Sequence, residues 1–187
     1  MASRAGNNAE IAAYNASMDR TQDPKTTAAT VRAGTNMDIA ANGMLTPAQL
    51  DFLVSQKAQT PELAKIMKAV LIRESNYGQN PAAYVANKAG GVIGVGQIQS
   101  KQVGGKYNNF ENYADAGQTD INNPVHTANA ALNMMADIWN KSGGDTQKFV
   151  NGYFGKAAAD KLGGTNSGYV AAMNKALSNG VQTPTGT

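Results

Sequence analysis

Glu74 is the residue whose type and position first suggest chemistry. It follows Leu63, Ile66, Met67, Val70 and Leu71, which recur at spacings of three and four. That spacing puts side chains on one face of a helix. Glu74 stands three residues beyond Leu71 and four beyond Val70, so it continues the same face. A carboxyl on an apolar stripe loses water, and desolvation disfavours its charged form. An acid that keeps its proton near neutral pH can act as a proton donor. The plainer reading is that the helix has reached the surface and Glu74 is a solvated terminal residue.

The chain then folds back through "NYGQNPAAYVANKAGGVIGVGQIQ". Its Gly, Asn and Pro residues argue for an ordered loop or short ribbon near Val92 to Ile98 rather than a long helix. Gly90, Gly91, Gly94 and Gly96 permit tight turns and close backbone approach. "GGVIGVG" has the look of a phosphate-binding loop, but no Lys-Ser/Thr follows it and no strand precedes it. The single histidine, His126, falls in the first turn of a later helix with no evident partner. There is no cysteine, which excludes disulfides and thiolate metal sites.

Several elements must position these residues. Thr46, Pro47 and Gln49 spell a capping box ahead of a helix to about Lys57 that buries Leu50, Leu53 and Val54. Thr60, Pro61 and Glu62 repeat the device ahead of the helix that carries Glu74. Asn123 and Pro124 open a longer helix, which Gly143 and Gly144 close. Val125, Ala128, Leu132, Met135 and Trp139 make its buried face, and Met134 and Met135 read as core filler. A short helix from Thr146 to Tyr153 and a last one from Ser167 to Leu177 complete the pattern. Residues 1–44, rich in Ala, Asn and Thr, read as an arm with short helical pieces around Ile11 to Met18. Residues 45–178 make the domain, and 179–187 a loose tail.

The 187 residues suffice for one domain with a core. A net charge of +3 with scattered Lys and Arg suits a solvated surface or an anionic partner such as cell wall. It lacks the clustered footprint of a nucleic-acid binder. No apolar run approaches the ~18 residues of a membrane span. The first residues contain no apolar stretch of the secretory type.

Three ordered segments, "RES", "GVIGVGQIQ" and "GGDTQKFVNGYFGK", together resemble the motifs of the soluble lytic transglycosylase domain, a lysozyme-like family related to goose-type lysozymes. Glu74-Ser75 matches the family's Glu-Ser. Gly94-Val95-Gly96-Gln97 matches its Gly-Leu-Met-Gln, with Gly96 where Met is usual. Gly143-Gly144-Asp145 precedes Tyr153 at the family's distance, and Phe154-Gly155-Lys156 stands where Asn-Ala-Gly is usual. Tyr169-Val170 is similar to the Tyr-Val that closes the family domain. The resemblance spans Pro61 to Leu177.

The resemblance implies a mainly α, lysozyme-like transglycosylase domain with a flexible N-terminal extension and at most a short β ribbon. It implies cleavage of the MurNAc-GlcNAc bond of peptidoglycan with Glu74 as the single catalytic acid, giving 1,6-anhydro ends without metal or cofactor. Ser75, Gly94, Val95, Gln97 and Tyr153 are then the substrate-binding residues. Ser75 orients Glu74 or only ends its helix. Gln97 bonds sugar or only braces its loop. Tyr153 holds the Glu74 carboxyl or only packs the core. Glycosidases usually need two carboxylates; Glu111, Asp115 and Asp120 are the candidates, and none sits in a motif that fixes its place. The long segment 100–120 is expected in the groove wall. The resemblance, with the leaderless arm, suggests a phage virion protein that opens the wall during genome delivery. Its partners are then glycan strands and, through residues 1–44, other virion or envelope-machine proteins. A hydrolytic lysozyme and a structural virion protein with an inactive domain are the alternatives.

Overall fold

The computed structural model describes residues 43–87, 90–155 and 167–183. The helical pieces expected at Ile11 to Met18, the arm apart from Gly43 and Met44, Lys156, and the last four residues of the tail lie outside them.

The described residues form six α-helices and one two-stranded ribbon. Helices α1 (Pro47–Lys57) and α2 (Pro61–Ser75) begin where their caps dictate. Thr46 Oγ1 accepts from the Gln49 N–H at 3.2 Å, and Gln49 Oε1 accepts from the Thr46 N–H at 2.8 Å. Thr60 Oγ1 accepts from the Leu63 N–H at 3.2 Å. Each bond satisfies a helix-end donor that otherwise lacks a partner.

The ribbon pairs β1 (Val92–Ile93) with β2 (Ile98–Gln99), antiparallel, with Ile93 opposite Ile98. Gly94-Val95-Gly96-Gln97 is therefore the hairpin turn. The segment after it is more structured than a connecting loop. It holds a 3₁₀ turn, Lys101–Val103, and the short helix α3 (Asn109–Tyr113), whose Phe110 is buried.

Helix α4 (Pro124–Ser142) is the axis of the fold and touches α1, α2, α3, α5 and β2. It is buried on more than one face: Ala128, Ala130, Ala131, Leu132 and Met135 are all inaccessible. Alanines on two sides let neighbouring elements approach closely. Helices α5 (Thr146–Phe154) and α6 (Ser167–Asn179) pack on each other, and α6 also lies along α2. The closing helix is thereby brought to the end of α2 where Glu74 sits. No described helix is long and apolar enough to cross a membrane.

Candidate active site

Glu74 occupies the last turn of α2, one residue before its end. The helix stops because the backbone turns left-handed at Asn76 (φ 49), Tyr77 (φ 54) and Gly78 (φ 80). Ser75 brackets that reversal. Its hydroxyl donates to Leu71 O at 2.8 Å and accepts from the Gly78 N–H at 3.0 Å, and the residue is inaccessible to solvent. Ser75 therefore shapes the end of the helix and is not among the residues lining the cleft that Glu74 faces.

Glu74 is half-buried and opens onto a cleft of about 700 Å³. One stripe of α4, Met134, Asp137, Ile138 and Lys141, lines that cleft at helical spacing. The ribbon contributes Val92, Gly96, Gln97, Ile98 and Gln99. Tyr107, Asn109 and Tyr113 come from segment 100–120, so that segment does form groove wall. Gly152, Tyr153 and Phe154 come from the end of α5.

Burial pushes the Glu74 carboxyl above its ordinary range, against the opposing effects of a hydrogen bond from Tyr169 and the charge of Arg73. The Tyr169 hydroxyl donates to Glu74 Oε1 at 2.8 Å. Tyr169 is itself clamped. The Arg73 guanidinium lies 4.1 Å from its ring centroid, and the Phe154 ring 4.0 Å away on centroids. Aromatic contacts continue inward from Phe154 to Tyr153, Phe149 and Trp139, so the site is braced by the core.

Tyr153 does not hold Glu74, as the resemblance implied. Its hydroxyl donates to Gly96 O at 2.7 Å, while its ring lines the cleft. Burial, with Glu74 and Tyr169 nearby, pushes that hydroxyl far above the usual phenol range, so it remains a neutral donor. Tyr169 takes the role expected of Tyr153. In the sequence it stood out only as part of Tyr-Val, and nothing local signalled a contact 95 residues away.

The hairpin residues divide. Gly94 and Val95 are buried and are not among the residues lining the cleft. Gln97 does line it, but its side-chain amide donates inward to Gly94 O at 2.9 Å and Ala83 O at 3.3 Å, which braces the loop. At Gly96, where the resemblance leads one to expect Met, the packing leaves no room for a side chain. A Cβ there would lie 2.5 Å from the Ala131 Cβ and 3.0 Å from the Tyr153 hydroxyl. The turn is pressed against α4, and no side chain fits between them.

The three acids expected as partners for Glu74 are occupied elsewhere. Glu111 accepts from the Ser100 hydroxyl at 2.6 Å, Asp115 pairs with Lys57 at 2.8 Å and accepts from Asn133, and Asp120 accepts from the Asn122 N–H within its own turn. His126 accepts the Asp120 N–H at 3.3 Å and does not line the cleft. The second carboxylate of the cleft is Asp137, which sequence reading missed because it falls between apolar residues of α4. Hydrogen bonds from Lys141 and Tyr113 hold it below the ordinary carboxylate range. Two acids in one cleft are thus pushed in opposite directions, Glu74 towards keeping its proton and Asp137 towards losing it. Among the described residues no group of three His, Cys, Asp or Glu is arranged to hold a metal.

Comparison of the chain with protein-family models, curated proteins and solved structures returns no match.

Proposed function

We propose that this protein is a peptidoglycan lytic transglycosylase with a lysozyme-like fold, and that Glu74 is its catalytic acid and base. The observation that carries the reading is a desolvated carboxyl, held by one hydroxyl donor, on the wall of an open cleft. An acid in that setting can give a proton and take it back.

In the proposed reaction Glu74 protonates the glycosidic oxygen as its bond to MurNAc C1 breaks. The substrate's acetamido group stabilises the cationic carbon. The C6 hydroxyl oxygen then bonds to C1, and its proton returns to Glu74. Tyr169 orients the carboxyl and stabilises the anion between the two transfers, since a hydrogen bond to the charged form favours it. The product is a 1,6-anhydro end, and no water is consumed.

Hydrolysis is the second reading, favoured by the ionised Asp137 in the same cleft, which is the kind of group that activates water in inverting enzymes. Mass spectrometry of purified sacculi after digestion separates the two. Anhydro-ended fragments support transglycosylation, and reducing ends support hydrolysis. The proposed setting is a phage particle, with residues 1–44 contacting other virion proteins; mass spectrometry of purified particles tests it.

A further inference from the structure

The proposed chemistry leaves a second polar centre of the cleft unused. Asp137 and Lys141 lie one turn apart on α4, with Nζ 2.7 Å from Oδ2. The Tyr113 hydroxyl of α3 donates to that same Oδ2 at 2.7 Å. Both bonds fall on one oxygen, so Oδ1 has no protein donor among the described residues. Asp137 is therefore a fixed, ionised acceptor with one free face.

Tyr107, 59 % exposed, lines the same cleft; among the described residues Val85, 69 % exposed and outside the cleft, is the other large apolar residue left in water. An aromatic ring offers a flat apolar face to a partner, and its hydroxyl can stay wet. A charged acceptor and an exposed ring on the walls of one cleft match the chemistry of a sugar strand, whose rings have apolar C–H faces and rims that carry hydroxyl and amide donors. The cleft is of a size that holds a ligand of several rings, within the range of about 300–1,000 Å³.

We infer that Tyr107, Tyr113, Asp137 and Lys141 form a sugar-binding subsite for an N-acetylated hexosamine of the glycan strand. The sugar's C–H face stacks on Tyr107, and a hydroxyl or amide N–H donates to Asp137 Oδ1. Tyr113 and Lys141 are positioning residues that aim the carboxylate. The identity of the sugar rests on the proposed function, but the binding it describes does not need a working Glu74. This assigns Asp137 to holding substrate rather than to activating water.

The test is titration of chitohexaose, a linear N-acetylglucosamine oligomer, into Glu74→Gln protein, followed by calorimetry and by NMR shifts of the cleft residues. Adding Tyr107→Ala or Asp137→Asn should weaken binding about tenfold each, by roughly 1.4 kcal/mol, while Tyr107→Phe should retain it. Tyr107 is exposed, so its variant also answers if Asp137→Asn fails to fold. If either Tyr107→Ala or Asp137→Asn binds as tightly as the Glu74→Gln parent, the subsite is overturned, as it is by absence of binding in every form. If the oligomer binds through Tyr107 while wild-type protein leaves sacculi intact, the catalytic reading falls and the subsite stands. If wild-type protein releases reducing ends and Asp137→Asn abolishes them, Asp137 is a base and the inference fails.

Discussion

The Tyr169 hydroxyl donates to Glu74 Oε1 at 2.8 Å, joining a half-buried residue in the first turn of the final helix to the acid at the end of α2. The bond closes the site across 95 residues of chain, and Arg73 and Phe154 fix the ring that makes it.

Tyr169→Phe removes the donor that favours the ionised form of Glu74. The Glu74 carboxyl then keeps its proton to higher pH, so the alkaline limb of the pH–rate profile moves upward. The maximal rate falls about tenfold, the scale of one hydrogen bond to a charged group. A profile measured on sacculi that matches wild type contradicts the role given to Tyr169.

Glu74 also makes stability depend on pH. Its folded value is raised above the ordinary 4.5, so between the two values the folded chain binds the proton more tightly. The stabilisation is fully present below pH 4.5 and is lost as pH rises through the folded value. Glu74→Gln cannot ionise and keeps an acceptor for Tyr169. Its melting temperature should exceed that of wild type at neutral pH, with the gap closing in acid. A lower melting temperature at neutral pH would refute this desolvation account.

Gly96→Ala forces a Cβ to within 2.5 Å of the Ala131 Cβ. Overpacking of this kind costs about 1–3 kcal/mol, and it pushes the turn off Tyr153. Denaturant unfolding measures the loss. Adding Ala131→Gly should recover part of it, giving a favourable coupling between the two sites. Additive losses would show that the two residues do not press on each other.

Ser75→Ala leaves the buried Gly78 N–H without its acceptor. Stability should fall by about 1–3 kcal/mol, while the affinity of the folded protein for chitohexaose stays as it was. Weakened binding with unchanged stability would return Ser75 to the substrate.

Much of the helical frame was legible because its signals are local. Thr46 and Thr60 cap α1 and α2 as their neighbours demand, and the stripe from Leu63 to Leu71 is buried. Glu74 was legible by the same periodicity, and its half-buried place follows from being the next residue on that face. Asp137 was not legible. It shares α4 with buried apolar residues, and its meaning depends on Tyr113, 24 residues earlier. Tyr169 was hidden for the same reason, because a hydroxyl partner in another helix leaves no mark on spacing. Gly96 looked like a lost side chain and is instead a close contact with α4, which only the packing of Ala131 reveals.

The central claim is that Glu74 carries the proton in wall cleavage, and the most direct measurement compares muropeptide release from purified sacculi by wild type and folded Glu74→Gln. The account predicts anhydro-ended products from wild type and a loss of at least about 10³-fold in the variant, since donor and acceptor are removed together. Release by Glu74→Gln at the wild-type rate would contradict it.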